Sequence, residues 1–340
     1  MSVVDKTKTV LFLGAGATAP LGKMLMVPFI DLLEKNLKSS ALFSDIVATK
    51  RDLEFLLEAL SNIRDISYLR YCLQRGRGIV REHGTLVKAS EPNRNETSFA
   101  DLRRTASNLQ TRVEREVFNH YRDFDNEQSV VELLNPIIKE IAEISGLPPV
   151  VFTTNYDPAV EKYCELSGGY VCIDGLVHDQ QTRSYEWRAD NYESADQNNA
   201  LYLFKLHGST DWVRSGSRIF RNTGPVFAGG DSSHSNVMIF PATRKVAYDQ
   251  PYVTCYSYLE DCLSCAKRCI VIGYSFRDYD TVTRFQSSLR KNPNIQIEIV
   301  DPNAGKLVTH LERQFGIKAK PRSGSLQLKS PLPEIDANHQ

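Results

Sequence analysis

Residues 150–163 read VVFTTNYDPAVEKY, a run of buried-strand residues that breaks into Thr153, Thr154, Asn155, Tyr156 and Asp157 just before a helical pattern begins. A turn at that point needs only Gly or Asn. A row of side chains rich in donors and acceptors at the carboxyl end of a strand is where an open α/β sheet binds its ligand. Structural readings stand beside that one: Asp157 before Pro158 is also a normal N-cap and first-turn pair, and Asn155 a left-handed turn residue.

Downstream of this stretch the chain alternates strand and helix. LYLFKL leads to a polar turn, VMIF at 237–240 to a helix near 253–268, CIVIG to DTVTRFQSSLRK, and IQIEIV to AGKLVTHLERQFG. Continuous apolar strands between amphipathic helices predict a parallel, doubly wound sheet covered on both faces. Upstream, TVLFL at 9–13 reads as the first strand, and the helical pattern after it is too long for one crossover. The expected fold is therefore α/β, a Rossmann-like parallel sheet with a large helical insertion after the first strand.

The expected divisions are residues 1–35 and 147–320 for the sheet domain, 36–146 for the insertion with a loop near 75–98, and 321–340 for a loosely held tail. Leu53, Leu56, Leu57, Leu60 and Ile63 recur at helical spacing, Asn135–Pro136 reads as a helix start, and Gly146 as its stop. Residues 170–199 and 213–235, rich in polar residues and Gly, read as loops or a small excursion near the site.

With 41 basic and 41 acidic residues the formal charge is zero, which argues against a broad nucleic-acid footprint. Basic residues outnumber acidic ones between 64 and 122, with a knot at Arg75, Arg77 and Arg81, read as a solvated helical face or a binding patch for a partner or polyanion. The N-terminus lacks a signal-peptide pattern and no apolar run approaches a membrane span, so a cytoplasmic location without membrane association is expected. The seven cysteines fit reduced thiols. Cys255, Cys262 and Cys269 read as core packing on one helical face. Cys262 and Cys265 form only one C-x-x-C, short of the four ligands of a structural zinc site, so no metal is expected.

LFLGAGATA places G-x-G-x-x-A at Gly14, Gly16 and Ala19 directly after a strand, where glycines let backbone approach a pyrophosphate met by the amides of the next helix. A ligand-free tight turn is the alternative. No second strand ending in Asp or Glu follows within about 20 residues, so this is not the usual dehydrogenase arrangement. LYLFKLHGSTDW sets His207 at a strand end before Gly208, a fitting place for a proton acceptor near neutral pH. IVIGYSFRD and IEIVDPN add Gly273, Ser275, Asp301 and Asn303, so five strand ends converge on one edge.

In this order, GAGAT, TTNYD, LHGS, GYSF and DPN resemble the sirtuin superfamily, and more closely its bacterial anti-phage-defence branch than the protein deacylases. The resemblance implies an NAD-binding domain that cleaves the nicotinamide glycosidic bond of NAD as its substrate. It implies that Gly14, Ala15, Gly16 and Thr18 cradle the pyrophosphate, with Thr154 beside them. Asn155 would hold the nicotinamide ribose or the attacking water, Asp157 the carboxamide, and His207 would be the base. Gly273, Ser275, Asp301 and Asn303 would line the adenosine side.

Departures set the branch. Gly22 is followed by KMLMVPFID rather than the Gly-Ile-Pro-Asp-Phe-Arg type segment of deacylases, Thr154 stands where they have Gln, and their paired-cysteine zinc module after His207 is missing. The expectation is an NAD hydrolase yielding nicotinamide and ADP-ribose or its cyclic form, depleting NAD during phage infection. A non-catalytic NAD- or ADP-ribose-binding sensor or regulatory subunit and an NAD-dependent protein deacylase are the alternatives. Control is expected from homo-oligomerisation or a separately encoded activator, such as a nucleic-acid-translocating ATPase or an Argonaute-like protein.

Overall fold

The computed structural model describes residues 3, 7–37, 40–75, 99–180, 183–194, 199–221, 234–236, 238 and 249–322. The predicted alternation builds a parallel sheet of β1 (Thr9–Leu13), β2 (Val150–Thr153), β3 (Val171–Ile173), β6 (Ala200–Lys205), β10 (Arg268–Ile272), β11 (Gln296–Val300) and β12 (Lys320–Pro321). Their spatial order is β12-β11-β10-β1-β2-β6-β3, and every neighbouring pair is parallel. A second, antiparallel sheet orders β4 (Leu176–Asp179), β5 (Ser184–Trp187), β8 (Arg218–Arg221), β7 (Trp212–Ser215) and β9 (His234–Asn236). In chain order the helices are α1 (Met26–Leu37), α2 (Ala41–Thr49), α3 (Leu53–Arg75), α4 (Phe99–Arg122), α5 (Glu127–Ser145), α6 (Ala159–Ser167), α7 (Asn191–Ser194), α8 (Tyr252–Cys265), α9 (Tyr279–Lys291) and α10 (Ala304–Phe315).

The strands are apolar at consecutive positions because each face meets its own core. On β1, Val10 and Phe12 join the core under α8, α9 and α10, while Leu11 and Leu13 join the one under α5 and α6. Tyr256, Leu259, Phe285 and Leu311 fill the first, and Leu133, Ile137, Ile138, Ile141 and Tyr163 the second. A third core, of Phe29, Leu33, Phe43, Leu56, Leu60, Val113 and Val117, is built by α1 to α4. These helices form the helical insertion after the first strand, and Tyr156 from the end of β2 is buried in their core.

Three readings need correction. Pro136 lies inside α5, whose N-cap is Asn126, because the apolar stripe from Val130 to Ile141 is buried continuously across it and tertiary packing outweighs the lost helical hydrogen bond. Asn135 is no cap; its Oδ1 accepts from the Tyr163 hydroxyl at 3.1 Å and ties α5 to α6. The segments read as loops or a small excursion contain β3, β4, β5, α7, β8 and most of β7 and β9, the strands being of three or four residues in which alternation is too brief to register. Cys269 belongs to β10 rather than to the helix that carries Cys255 and Cys262, although all three are buried free thiols.

The strand expected at 237–240 lies outside the described residues except for Met238, which is buried in the helical core without belonging to a strand. The residues expected to form a loop, Arg77 and Arg81 among them, and those beyond Arg322 also lie outside the described residues. No helix among the described residues is long and apolar enough to cross a membrane.

Candidate active site

From β1 the chain winds toward β2 in one direction, and from β10 toward β11 in the other, which opens a crevice at the carboxyl ends of β1 and β10. There the two glycine turns interlock. The Gly14 amide donates to Ile272 O and the Gly16 amide to Gly273 O, each at 2.9 Å. A Cβ on Gly14 would sit 2.5 Å from Gly273 O, and one on Gly273, whose φ is +61°, would sit 2.3 Å from the Gly16 carbonyl carbon. These glycines are thus required first by each other, a demand the motif reading assigned to a ligand. The turn continues into two short 3-10 turns, Ala15–Ala17 and Ala19–Leu21, and α1 starts only at Met26, so no α-helix N-terminus follows the loop directly.

A cleft of about 320 Å3 opens at this crevice. Ala15, Gly16, Thr18, Thr154, Asn155, Asp157, His207, Gly273, Ser275 and Asp301 line it, as the sequence brought them together. Gly14 packs against Gly273 and Tyr274 instead, and Asn303 sits exposed at the N-cap of α10, donating its amide to Asp301 Oδ1 at 2.7 Å.

Thr18 joins the glycine turn to the end of β2. Its hydroxyl donates to Asp157 Oδ2 at 2.9 Å and accepts from Asn155 Nδ2 at 3.3 Å. Asp157 Oδ1 accepts the Ala159 amide at 3.2 Å, so this residue does cap the start of α6, one position earlier than an N-cap, while lining the cleft. Burial pushes its carboxyl above the usual range, against the opposing pull of Lys205, Thr18, the Ala159 amide and Lys23. Asn155 Oδ1 is buried and finds no partner among the described residues.

Beneath this turn lies Lys205, the one charged residue in β6, and its side chain is 0% exposed. Its ammonium donates to Glu161 Oε1 and to Asp157 O, both at 2.8 Å, and to Tyr156 O at 3.5 Å. The Tyr156 carbonyl also receives Thr210 N at 3.1 Å and the hydroxyls of Ser209 and Thr210. The polar residues after His207 therefore brace the backbone that presents Asn155 and Asp157.

His207 is 5% exposed, and its Nε2 lies 2.8 Å from Asp278 Oδ2 and 3.3 Å from the Tyr256 hydroxyl. The helical layer completes the cleft with Tyr121, whose hydroxyl donates to Met24 O at 2.6 Å. On the same segment, Lys23 Nζ donates to His120 O at 2.6 Å and to Asp123 O, and His120 Nε2 accepts the Met24 amide at 2.8 Å.

Asp278, Tyr256, Tyr121 and Lys205 were not among the residues singled out from the sequence. A lysine inside LYLFKL, and an aspartate following GYSF just before a helix, were the available signals for two of them. Tyr121 and Tyr256 sit on amphipathic helices and carry no local mark.

Residues 149–314 match the profile of the SIR2-like domain. The matched stretch covers just under half of the chain. It runs from the start of β2 through most of α10 and leaves out β1, the Gly14–Gly16 turn and helices α1 to α5. No curated protein matches the chain. Among solved structures, a Sir2 homolog–NAD complex is similar at 14% identity and a TM-score of 0.45, covering 95% of this chain and 86% of that one. Sir2Tm bound to a propionylated peptide is similar at 12% identity and 0.38, over 93% and 97%. A Sir2–p53 peptide–NAD+ complex is similar at 11% identity and 0.40, over 93% and 96%. Likenesses this distant carry no argument about activity.

Proposed function

We propose that the cleft between the Gly14–Gly16 turn and the stretch that matches the SIR2-like domain binds NAD and cleaves its nicotinamide–ribose bond, giving nicotinamide and ADP-ribose or its cyclic form. The carrying observation is the orphan Asn155 Oδ1, a buried acceptor in the cleft that also contains His207 and Asp157. A buried carbonyl oxygen without a partner costs about 1–3 kcal/mol, and a ribose hydroxyl or a water supplies the missing donor. The cleft is of a size for a small ligand, and its walls combine backbone turns with a few convergent polar groups.

In this reading the glycosidic bond breaks as positive charge builds on the ribose, and water adds to the anomeric carbon. Asn155 orients the hydroxyls or that water. Asp157, each of whose oxygens retains a lone pair beyond the Thr18 and Ala159 bonds, accepts from the nicotinamide carboxamide. His207 takes the proton released as water adds and returns it to solvent. Thr18, Ala15, Gly16 and Thr154 hold the phosphates, and Gly273, Ser275 and Asp301 the adenosine side. The parallel sheet with α5, α6 and α8 to α10 acts as the catalytic unit, with α1 to α4 as its cover.

The order of GAGAT, TTNYD, LHGS, GYSF and DPN supports assigning this hydrolase to NAD depletion in anti-phage defence. Unchecked NAD cleavage is toxic, so the same proposal includes control through self-association or a separately encoded activator.

The test is calorimetric titration with NAD followed by chromatography of the products, with and without an acetyl-lysine peptide. Nicotinamide appearing without peptide is the expected result. Nicotinamide that appears only with peptide would instead make the protein a deacylase, and tight binding with intact NAD a sensor.

A further inference from the structure

We infer that Asp278 is a positioning residue that fixes His207 as the Nε2–H tautomer, making Nδ1 the nitrogen that takes up the proton. This deepens the reading of the cleft as a nicotinamide-releasing site and rests on it for its catalytic meaning, although the hydrogen-bond pattern itself does not.

The assignment follows from which groups can donate. Asp278 Oδ2 receives the Thr281 hydroxyl at 3.0 Å, and Oδ1 receives the Asp280 amide at 3.1 Å. With its hydrogen directed to Asp278, Thr281 Oγ1 can only accept from the Tyr256 hydroxyl, 3.2 Å away. Tyr256 has then used its hydrogen and can offer His207 Nε2 only a lone pair at 3.3 Å. Among the described residues both neighbours of Nε2 are thus acceptors, and a proton on Nε2 satisfies them together. In a neutral imidazole the remaining lone pair is then on Nδ1.

A carboxylate 2.8 Å from one ring nitrogen also stabilises the imidazolium formed when the other is protonated. The other acidic and basic side chains that line the cleft are Asp52, Asp157, Arg277 and Asp301, and Arg284 lies 5.9 Å from the Tyr256 ring. Asp278 is in addition the N-cap of α9, a role that Asn fills as well, so Asp278→Asn removes the charge and keeps the cap.

The experiment is long-range proton–nitrogen NMR of the full chain with 15N-labelled histidine, assigned with His207→Gln and titrated from pH 5 to 9 without NAD. The expected pattern is Nε2–H for His207 in the wild type and in Tyr256→Phe. In Asp278→Asn the His207 titration moves down by about one pH unit, and the acidic limb of nicotinamide release follows it. An Nδ1–H pattern in the wild type, or an unmoved titration in Asp278→Asn, overturns the assignment. The wild-type spectrum decides by itself if the variant does not fold. Because the spectra need no turnover, an Nε2–H pattern in a protein that leaves NAD intact would sink the NAD reading and spare this one.

Discussion

Lys205 Nζ lies 2.8 Å from the Asp157 carbonyl oxygen and 2.8 Å from Glu161 Oε1, with no part of its side chain exposed. A buried ion pair contributes little over an apolar pair of the same volume, but removing one partner strands the other. Burial already pushes the Glu161 carboxyl upward, with Lys205 as the main opposing influence. Lys205→Met is expected to cost about 3–5 kcal/mol in urea unfolding, and Lys205→Met combined with Glu161→Leu to recover a large part of that. Equal losses in the single and double variants would contradict the role given to this pair.

The interlocked turns make a sharper contrast. Gly273→Ala forces a Cβ to 2.3 Å from the Gly16 backbone at φ +61°, whereas Gly22, at φ +80°, has nothing within 4 Å of its own added Cβ. Gly22→Ala should cost about 1–2 kcal/mol, the strain of a left-handed residue alone. Gly273→Ala should cost several times more or prevent folding, as read by thermal denaturation. Similar costs for the two would mean that the turns do not interlock as described.

His120 makes the cover of the cleft sensitive to acid. Burial first, and then Lys23, hold its pKa below the usual value, with Asp125 opposing, and its Nε2 accepts the Met24 amide. The unfolded chain therefore takes up the proton at higher pH than the folded one, so stability falls as pH drops through the ordinary histidine range near 6.5 and below. His120→Gln can present an acceptor to the same amide without titrating. Between pH 7.5 and 5.5 the wild type is expected to lose more melting temperature than His120→Gln, and parallel losses would exclude this linkage.

Thr18 is expected to connect binding with stability. Thr18→Val keeps the shape but leaves Asn155 Nδ2 and Asp157 Oδ2 without this partner, a loss of about 1–3 kcal/mol. NAD affinity by calorimetry should fall in Thr18→Val and return in Thr18→Ser. Unchanged affinity in Thr18→Val would separate the glycine turn from ligand binding.

The parallel sheet was legible because its strands are apolar at consecutive positions, as in VVFT and RCIVI, and because its polar residues gather at strand ends. That same gathering brought Thr18, Asn155, Asp157 and His207 into one cleft from positions far apart in sequence. Asp278 was harder to see, since its capping role accounts for it locally and its contact with His207 depends on how α9 meets β6. Tyr121 enters the cleft from a helix whose pattern reports only its buried face. Pro136 misled because a local rule of helix ends was weaker than a continuous buried stripe, and the excursion at 170–199 and 213–235 could not be read as strands because these are shorter than the window in which alternation can be recognised.

The central claim is that Asn155 sits where the nicotinamide bond of NAD is broken. The direct measurement is nicotinamide release from NAD by the wild type and by Asn155→Ala, each shown to melt at the same temperature. Release by the wild type that falls at least about a hundredfold in Asn155→Ala is the expected result. Equal release by the two folded proteins would contradict it.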